Sequence, residues 1–569
     1  MIASAVLLLD ARSLFAPYLI AALFAFFCLN KNRNTQFDRK RKSCRIVIAA
    51  SLLCSLLLTF ANYNIWMHPI LPDVRTTLYV RLIKLLLVGV IFAGIYVSCL
   101  NIFRYVCFND EAFCVRSSAG RKGAFRSFII PFFIIFCVYL VIYLCCYRPG
   151  LMSLDSIDQV KQLFTGKYSN HQPFYHTQLI GVFLRLGMAM FGNMNAAVST
   201  YVIFQMLVLS ATFAFVTYNL AILEMPKWAI VTSVIWYAVM PFHIMFSFTV
   251  WKDVLFGAFV TLLIIFFIRI EKGLGRRGAN VAGFALSSLV MCLIRSNGLF
   301  AYIFVFIAVL LLARKNMDIV FAMITVIIAA FILKHPVLSS FSVTPPDTVE
   351  SLSIPLQQIA RVVADDGVMS DEDRKLLSNI IDVSSIKETY DPDISDPIKN
   401  AIRDFGNQDY LSQNMAKFGG LYLRGLIHNP MKYIEAWVDS TCGYWNGGYN
   451  YWIWFWDVED NPYGISRSVA SPAMLRVMDE YLWLFYNNRL FQIFGAIGLF
   501  VWIVVIAFAR CVSTSNRTGI IAIVPILAII LSLVVSSPVY AEFRYMYAMF
   551  CALPILLAIT CHIRKEDTE

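Results

Sequence analysis

The residues able to do chemistry lie between the apolar runs of this chain rather than inside them. Arg148-Pro149-Gly150 is followed by Asp155, Asp158 and Gln159, then by His171-Gln172-Pro173 and His176. Next come Pro241-Phe242-His243, Trp251-Lys252-Asp253 and Arg295-Ser296-Asn297-Gly298; Glu542-Phe543-Arg544-Tyr545 stands near the C-terminus. Carboxylates beside fixed cations suit a reaction in which an acceptor hydroxyl loses its proton while a phosphate departs. Asp155 or Asp158 would be the general base, which must come within hydrogen-bond reach of that proton. Lys252, Arg295 and Arg544 would neutralise charge growing on the phosphate, the arginines as planar forks and the lysine as a point charge. Gln159, His171, His176 and Asp253 are candidates for substrate contact. Trp445 and Trp452, in the aromatic run Tyr444–Trp456, have faces that suit a sugar.

Each of these residues also has a plainer explanation. Asp155 or Asp158 can cap a helix, the two histidines can be packing residues, and Lys252 with Asp253 can be a local ion pair. Arg295 and Arg544 can snorkel to lipid headgroups, and the aromatic run can be an interfacial belt. His171 and His176, five apart with no cysteine nearby, fit no familiar zinc spacing. A divalent metal is not indicated, because fixed cations can do the neutralising. The chain has no P-loop, no HExxH and no internal repeat.

The elements that must position these residues follow from composition. The 569 residues are 59% hydrophobic and 15% charged, with a mean hydropathy of +0.68. A soluble chain carries about 25% charged residues, so soluble, disordered and fibrous classes are excluded. The net charge of +11 does not point to nucleic acid. Residues 334–487 hold 21 acids against 12 bases, and the excess of bases elsewhere sits in short loops between apolar runs.

A bilayer core needs about 20 mostly apolar residues per helix. Such runs predict an all-α integral membrane protein with about thirteen spans, near 13–30, 46–62, 80–103, 128–147, 196–220, 228–241, 254–270, 281–295, 299–313, 318–334, 488–510, 520–537 and 546–562. Lys and Arg mark the cytoplasmic side. The segment Lys31–Arg45 holds seven bases and one acid, and Arg116, Arg121, Lys122 and Arg126 follow in the next inner loop. Alternation then predicts an outer N-terminus and a cytoplasmic C-terminus carrying Arg564 and Lys565. It also puts the acidic block 334–487 outside, as a mainly helical loop domain folded onto the membrane face. Four segments are expected: 1–127 with the first helices and basic loops, 128–333 as a transmembrane core with the first outer loop, 334–487 as the extracytoplasmic domain, and 488–569 as the last helices and tail. All five polar clusters then fall on one face.

At these clusters the chain resembles the GT-C superfamily of polytopic membrane glycosyltransferases, which take sugar from a polyprenyl phosphate on the extracytoplasmic side. Asp155 occupies the position of that superfamily's acid in the first outer loop, although Ser156 stands where a second acid is common. His171-Gln172-Pro173 is similar to its later His-Pro-type motif with one residue inserted. Thr177–Phe191 looks like its amphipathic helix along the outer face, and Arg295-Ser-Asn297-Gly298 and Glu542-Phe-Arg544-Tyr545 resemble bacterial members.

The resemblance spans about 128–562. It implies a plasma-membrane transferase that uses a lipid-linked sugar donor and an acceptor that is a cell-envelope glycan, glycolipid or protein. A flippase for lipid-linked saccharides is the rival from another class, and a polysaccharide polymerase or ligase is a closer variant. Transporters place charges or broken helices near the midplane, whereas here they gather at one rim. The topology is directly testable. A cysteine placed at Ser384 should react with an impermeant thiol reagent on intact cells, and one at Gln36 should not. The opposite pattern would invert every assignment above.

Overall fold

Lipid offers a backbone N–H or C=O no partner, so an apolar run inside a bilayer must satisfy its own hydrogen bonds as a helix. In the computed structural model, which describes residues 15–32, 42–67, 78–113, 124–447 and 453–561, the expected apolar runs are helical. Among the described residues β structure is confined to isolated bridges. Nine helices among the described residues are long and apolar enough to cross a membrane: Ser43–Asn62, Leu85–Phe108, Arg126–Cys146, Met194–Ile222, Lys252–Glu271, Arg277–Ile294, Met317–Ser340, Arg517–Ser536 and Phe543–Cys561. The other four expected spans fall on shorter pieces. The run near 228–241 becomes Lys227–Val239 and Pro241–Ser247, bent by 56° at Met240. Ile20–Lys31, Ser296–Leu312 and Ile497–Ser513 are apolar helices of more modest length. The chain is thus a multi-pass helical membrane protein. The basic residues within 33–41, those at 116–122 and the tail lie outside the described residues, as does Trp452.

Burial sorts the helices into centre and rim. Within its apolar window Lys252–Glu271 is 83% buried and Phe543–Cys561 78%, against 11% for Leu85–Phe108. The two central helices pack on each other, and Gly257 permits the closeness. A Cβ there would stand 3.1 Å from both Cys551 Sγ and Tyr547 Cδ1. Arg277–Ile294, Met194–Ile222 and Arg517–Ser536 surround Lys252–Glu271. Helices near the N-terminus turn apolar side chains such as Leu85, Leu86 and Val90 outward, where hydrocarbon is the solvent.

The block 334–487 is not one unit. Its first part has a core of its own, built from Val349, Leu356, Ile359, Ile380, Ile402 and Leu421 among others. Its second part joins the main core instead, through Val438, Tyr444, Trp445, Trp454 and Leu482. Acid-rich helices hold the first part together partly through Arg361, which pairs with Asp365 at 2.5 Å, Asp439 at 2.9 Å and Glu435 at 3.3 Å. The aromatic run that closes the block is apolar enough to be drawn into the helix bundle.

The segment 148–153 is laced onto the loop ahead of Lys252. Leu151 N–H donates to Phe248 O and Val250 N–H donates to Leu151 O, each at 2.9 Å. Gly150 makes the approach possible: its φ is +133°, and a Cβ would lie 2.6 Å from Val202 Cγ2 and 3.0 Å from Phe248 O. An L side chain at such a φ costs about 1–3 kcal/mol before any clash. Gly150→Ala should therefore lower the Tm of the purified protein, read by thermal shift in detergent. A Tm equal to the parent's would mean that the segment is not held there.

Candidate functional site

Both central helices begin with a cation at or next to their first residue, Lys252 in one and Arg544 in the other. A helix N-terminus carries partial positive charge, and burial disfavours an unpaired ion. Carboxylates resolve the conflict. Arg544 Nη1 donates to Asp155 Oδ2 at 2.7 Å, an ion pair between residues 389 apart in sequence. Asp155 Oδ1 accepts from Gln172 Nε2 at 2.9 Å, and Lys252 Nζ donates to Gln172 Oε1 at 2.6 Å. Beside this chain Arg295 Nη1 pairs with the buried Asp253 at 2.5 Å, and Glu542 Oε1 lies 3.4 Å from Arg544 Nε. Aromatic faces line the cations: Tyr545 lies 4.6 Å from the Arg295 guanidinium and 5.3 Å from that of Arg544, and Trp251 lies 5.2 Å from Arg544.

Local structure explains how the acid arrives. Asp155 sits in the first turn of the amphipathic helix Leu154–Thr165, whose N-cap position is Ser153. Ser153 Oγ accepts from Trp251 Nε1 at 2.8 Å, and Ser156 Oγ donates to Val250 O at 2.6 Å, so the helix start is bolted to the Lys252 loop. The Asp155 carboxylate does not cap its helix; Arg544 and Gln172 occupy it. Its side chain stays about one-third exposed, against 18% for Arg544, so the pair is reachable from one side.

The electrostatics depart from the simple expectation that desolvation makes Asp155 a stronger base. Burial does push its pKa up, but the charges of Arg544 and Lys252, the Arg544 hydrogen bond and the charge of His171 outweigh it, and the carboxyl is held down at about 2. Glu542 goes the other way: burial, with Asp253 and Asp155 nearby, raises it to about 7 despite Arg544. Asp253 Oδ2, Glu542 Oε1 and Arg544 Nε are buried and make no hydrogen bond. Glu542 Oε1 and Arg544 Nε face each other as an ion pair at 3.4 Å. Buried polar atoms are nearly always paired, so Asp253 Oδ2 is the atom with hydrogen-bonding capacity left for something else. Among the described residues no three His, Cys, Asp or Glu side chains are grouped to hold a metal.

Of the residues singled out from sequence, Asp155, Lys252, Asp253, Arg295 and Arg544 come together, with the exposed His171 close enough to act on the charge of Asp155. Asp158 does not join them, because its carboxylate accepts from Gln162 Nε2, one turn further on, at 2.8 Å. A spacing of three put it on the face of Asp155; the nearby amide took it. Gln159 and His176 are buried beneath the helix rather than facing substrate. Gln159 Nε2 lies 2.9 Å from His176 Nδ1, and His176 Nε2 lies 2.8 Å from the Tyr201 hydroxyl, which donates to Gln205 Oε1. That order places the ring proton on Nε2, and burial holds the imidazole neutral, its pKa lowered to about 3. Trp445 is 3% exposed, stacked on Trp437 with its indole N–H on Thr441 Oγ1, so neither face is open to a sugar. Trp452 lies outside the described residues.

Sequence reasoning passed over Gln172, Glu542 and Tyr545 as site residues. Beside the cluster, Lys334 Nζ donates to the backbone O of Arg295 at 3.2 Å. Gln172 was findable as the middle of a motif already picked out, and Glu542 and Tyr545 as the neighbours of Arg544.

The fold and site define a multi-pass helical membrane protein with a balanced cluster of three acids and three bases at the ends of its central helices. Residues 165–569 match DUF6020, a family of unknown function, and the chain belongs to that family. The match takes in Gln172, Lys252, Arg295 and Arg544 and begins ten residues after Asp155. No curated protein and no solved structure matches the chain.

Glu542 gives the site a pH signature. With a folded pKa raised from 4.5 to about 7, the folded state holds a proton that the unfolded state has released between those values. Stability therefore falls as pH rises from about 4.5 to 7. Replacing Glu542 with Gln should flatten the drop in Tm between pH 5 and pH 8. An unchanged slope would show that Glu542 is ionised throughout.

Proposed function

We propose that this protein is a membrane glycosyltransferase of the GT-C kind, moving a sugar from a polyprenyl-phosphate donor to a cell-envelope glycan, glycolipid or protein. In this reading the chain crosses the plasma membrane about thirteen times with its N-terminus outside and its C-terminus inside. The acidic block 334–487 lies on the outer side and helps to select the acceptor. The observation that carries the reading is the Asp155–Arg544 pair, joined through Gln172 to Lys252, in a cluster that keeps the buried Asp253 Oδ2 idle.

The chemistry follows from how the pair responds to a phosphate. At rest Asp155 is a weak base, because Arg544 holds it ionised. A donor phosphate entering the cluster competes for the guanidinium of Arg544 and the ammonium of Lys252. Once Arg544 and Lys252 turn to the phosphate, less cationic charge is left to oppose burial at Asp155, and its pKa rises. Asp155 then accepts the proton of the acceptor hydroxyl as that oxygen bonds to the anomeric carbon. The bond from that carbon to the phosphate oxygen breaks, its electron pair leaves with the polyprenyl phosphate, and Arg544 and Lys252 neutralise the added charge. The base is unmasked only when donor is present, which suppresses reaction with stray hydroxyls. Arg295, fixed by Asp253, holds the second guanidinium beside Tyr545.

The test is purified protein in vesicles with radiolabelled polyprenyl-phosphate sugars and an acceptor extract. Asp155→Asn is nearly isosteric but cannot take the proton, and should lose at least about a hundredfold in transfer, while Asp158→Asn loses far less. A folded, donor-binding Asp155→Asn that transfers at the parental rate would end this mechanism. Donor that crosses the bilayer without any transfer would favour the flippase.

A further inference from the structure

A second feature lies among the outer helices, away from the charged cluster. A groove of about 440 Å³ runs between helices Phe15–Lys31, Lys42–Met67, Leu78–Phe108, Ile497–Ser513 and Phe543–Cys561. Its walls are apolar nearly throughout, with Phe24, Leu58, Phe103, Leu499 and Ile506 as representative faces, and Arg510 among the lining residues. Arg510 is fully buried. Its Nη1 donates to Val106 O at 2.6 Å, its Nη2 to Asp110 at 3.0 Å, and its Cζ lies 5.2 Å from the Phe113 ring. Its Nε has no partner.

We infer that this groove is a binding site for one anionic membrane phospholipid, with an acyl chain along the groove and a phosphate oxygen accepting from Arg510 Nε. Three observations carry it. The walls are membrane helices, so hydrocarbon is the solvent that reaches them. The volume fits one chain: at about 30 Å³ for a water-sized unit, a methylene being of similar size, it holds roughly fifteen. The polarity is one-sided and its sign is positive. Two residues before Val106 on the same helix, Arg104 Nη2 donates to Asn32 O, next to Lys31 at the end of the first helix. This end of the helices carries three cations against Asp110, which pairs with Arg510, and Glu111, the next residue in sequence, which leaves an excess of positive charge. Asp110 is 63% exposed on its side chain, so water screens its repulsion of a phosphate, whereas Arg510 is dry. A charge-assisted hydrogen bond is worth most where water is excluded. The site is independent of the proposed transfer reaction.

The experiment uses the full-length protein in detergent, exchanged against phosphatidylglycerol or phosphatidylcholine of identical chains, with retained lipid counted by native mass spectrometry. One phosphatidylglycerol should be retained in preference to phosphatidylcholine. Arg510→Met should weaken that retention about tenfold. Ala21→Trp, on the half-buried wall of an outer helix, fills the groove without touching the cation and should abolish retention in a protein that remains monodisperse. Equal retention of the two lipids would overturn the proposal, as would parental retention in the tryptophan variant. Preferential retention of a polyprenyl phosphate over phosphatidylglycerol would also overturn it, since the site would then belong to the donor.

Discussion

The ion pair between Asp155 and Arg544 ties together two ends of the chain that nothing local connects. Arg544 opens a helix that is buried along most of its length, and that helix start repels a cation. Asp155 opens an amphipathic helix that is fastened to the Trp251 loop and, through Gln159, to His176. Each charge meets a demand that the other satisfies, and the rest of the site is arranged around the pair. Gln172 spans the remaining gap by giving its N–H to the acid and its carbonyl to Lys252. A neutral amide in that position links two charges without adding a third.

Charge is expensive here, which is why the cluster is balanced and not merely basic. Removing one partner from a buried pair costs about 3–5 kcal/mol, because the other charge is left without compensation. Asp253, fully buried against Arg295, is in that position. The cluster holds three acids and three bases, yet Glu542 Oε1 and Arg544 Nε meet only as a 3.4 Å ion pair without a hydrogen bond, and Asp253 Oδ2 has no hydrogen bond at all. A purely structural network would be expected to use that oxygen, since an unsatisfied buried atom costs about 1–3 kcal/mol. An idle oxygen beside a reachable ion pair fits a site that rearranges when an anion arrives.

What could be read from the sequence depended on range. Apolar runs report their helices directly, because each span satisfies its own backbone, and thus the expected runs are helical. Convergence of Asp155, Lys252, Asp253, Arg295 and Arg544 was legible from alternation of the loops alone. Contacts settled by competition between neighbours were not legible. Asp158 had the right spacing but met Gln162; His176 had the right chemistry but was matched by Gln159 and Tyr201; Trp445 had the right face but found Trp437. The sign of the shift at Asp155 was also hidden, because it hangs on a residue 389 positions away. The split of the acidic block was masked by its uniform charge, although its aromatic tail was apolar enough to have suggested the main core.

The tail of that block also connects it to the cluster. Ser395 N–H donates to Pro538 O at 2.8 Å and Tyr540 N–H to Asp393 O at 3.0 Å, so the acid-rich part grips the segment just before Arg544. From the other side the Tyr444 hydroxyl accepts from Glu542 N–H at 3.1 Å and lies 3.0 Å from Val539 O. The five residues 538–542 are thus held at both ends by the block and lead straight into the helix that carries Arg544. A displacement of the block, as when a bulky molecule seats against it, must pass through these bonds to reach the guanidinium. Arg295 is tied to the block as well, through Lys334 Nζ on its carbonyl at 3.2 Å, and the 148–156 segment beside Lys252 takes Glu459 N–H on Met152 O at 2.9 Å. A displacement of the block can therefore reach the whole cluster, and through Arg544 it acts on the cation bonded directly to Asp155.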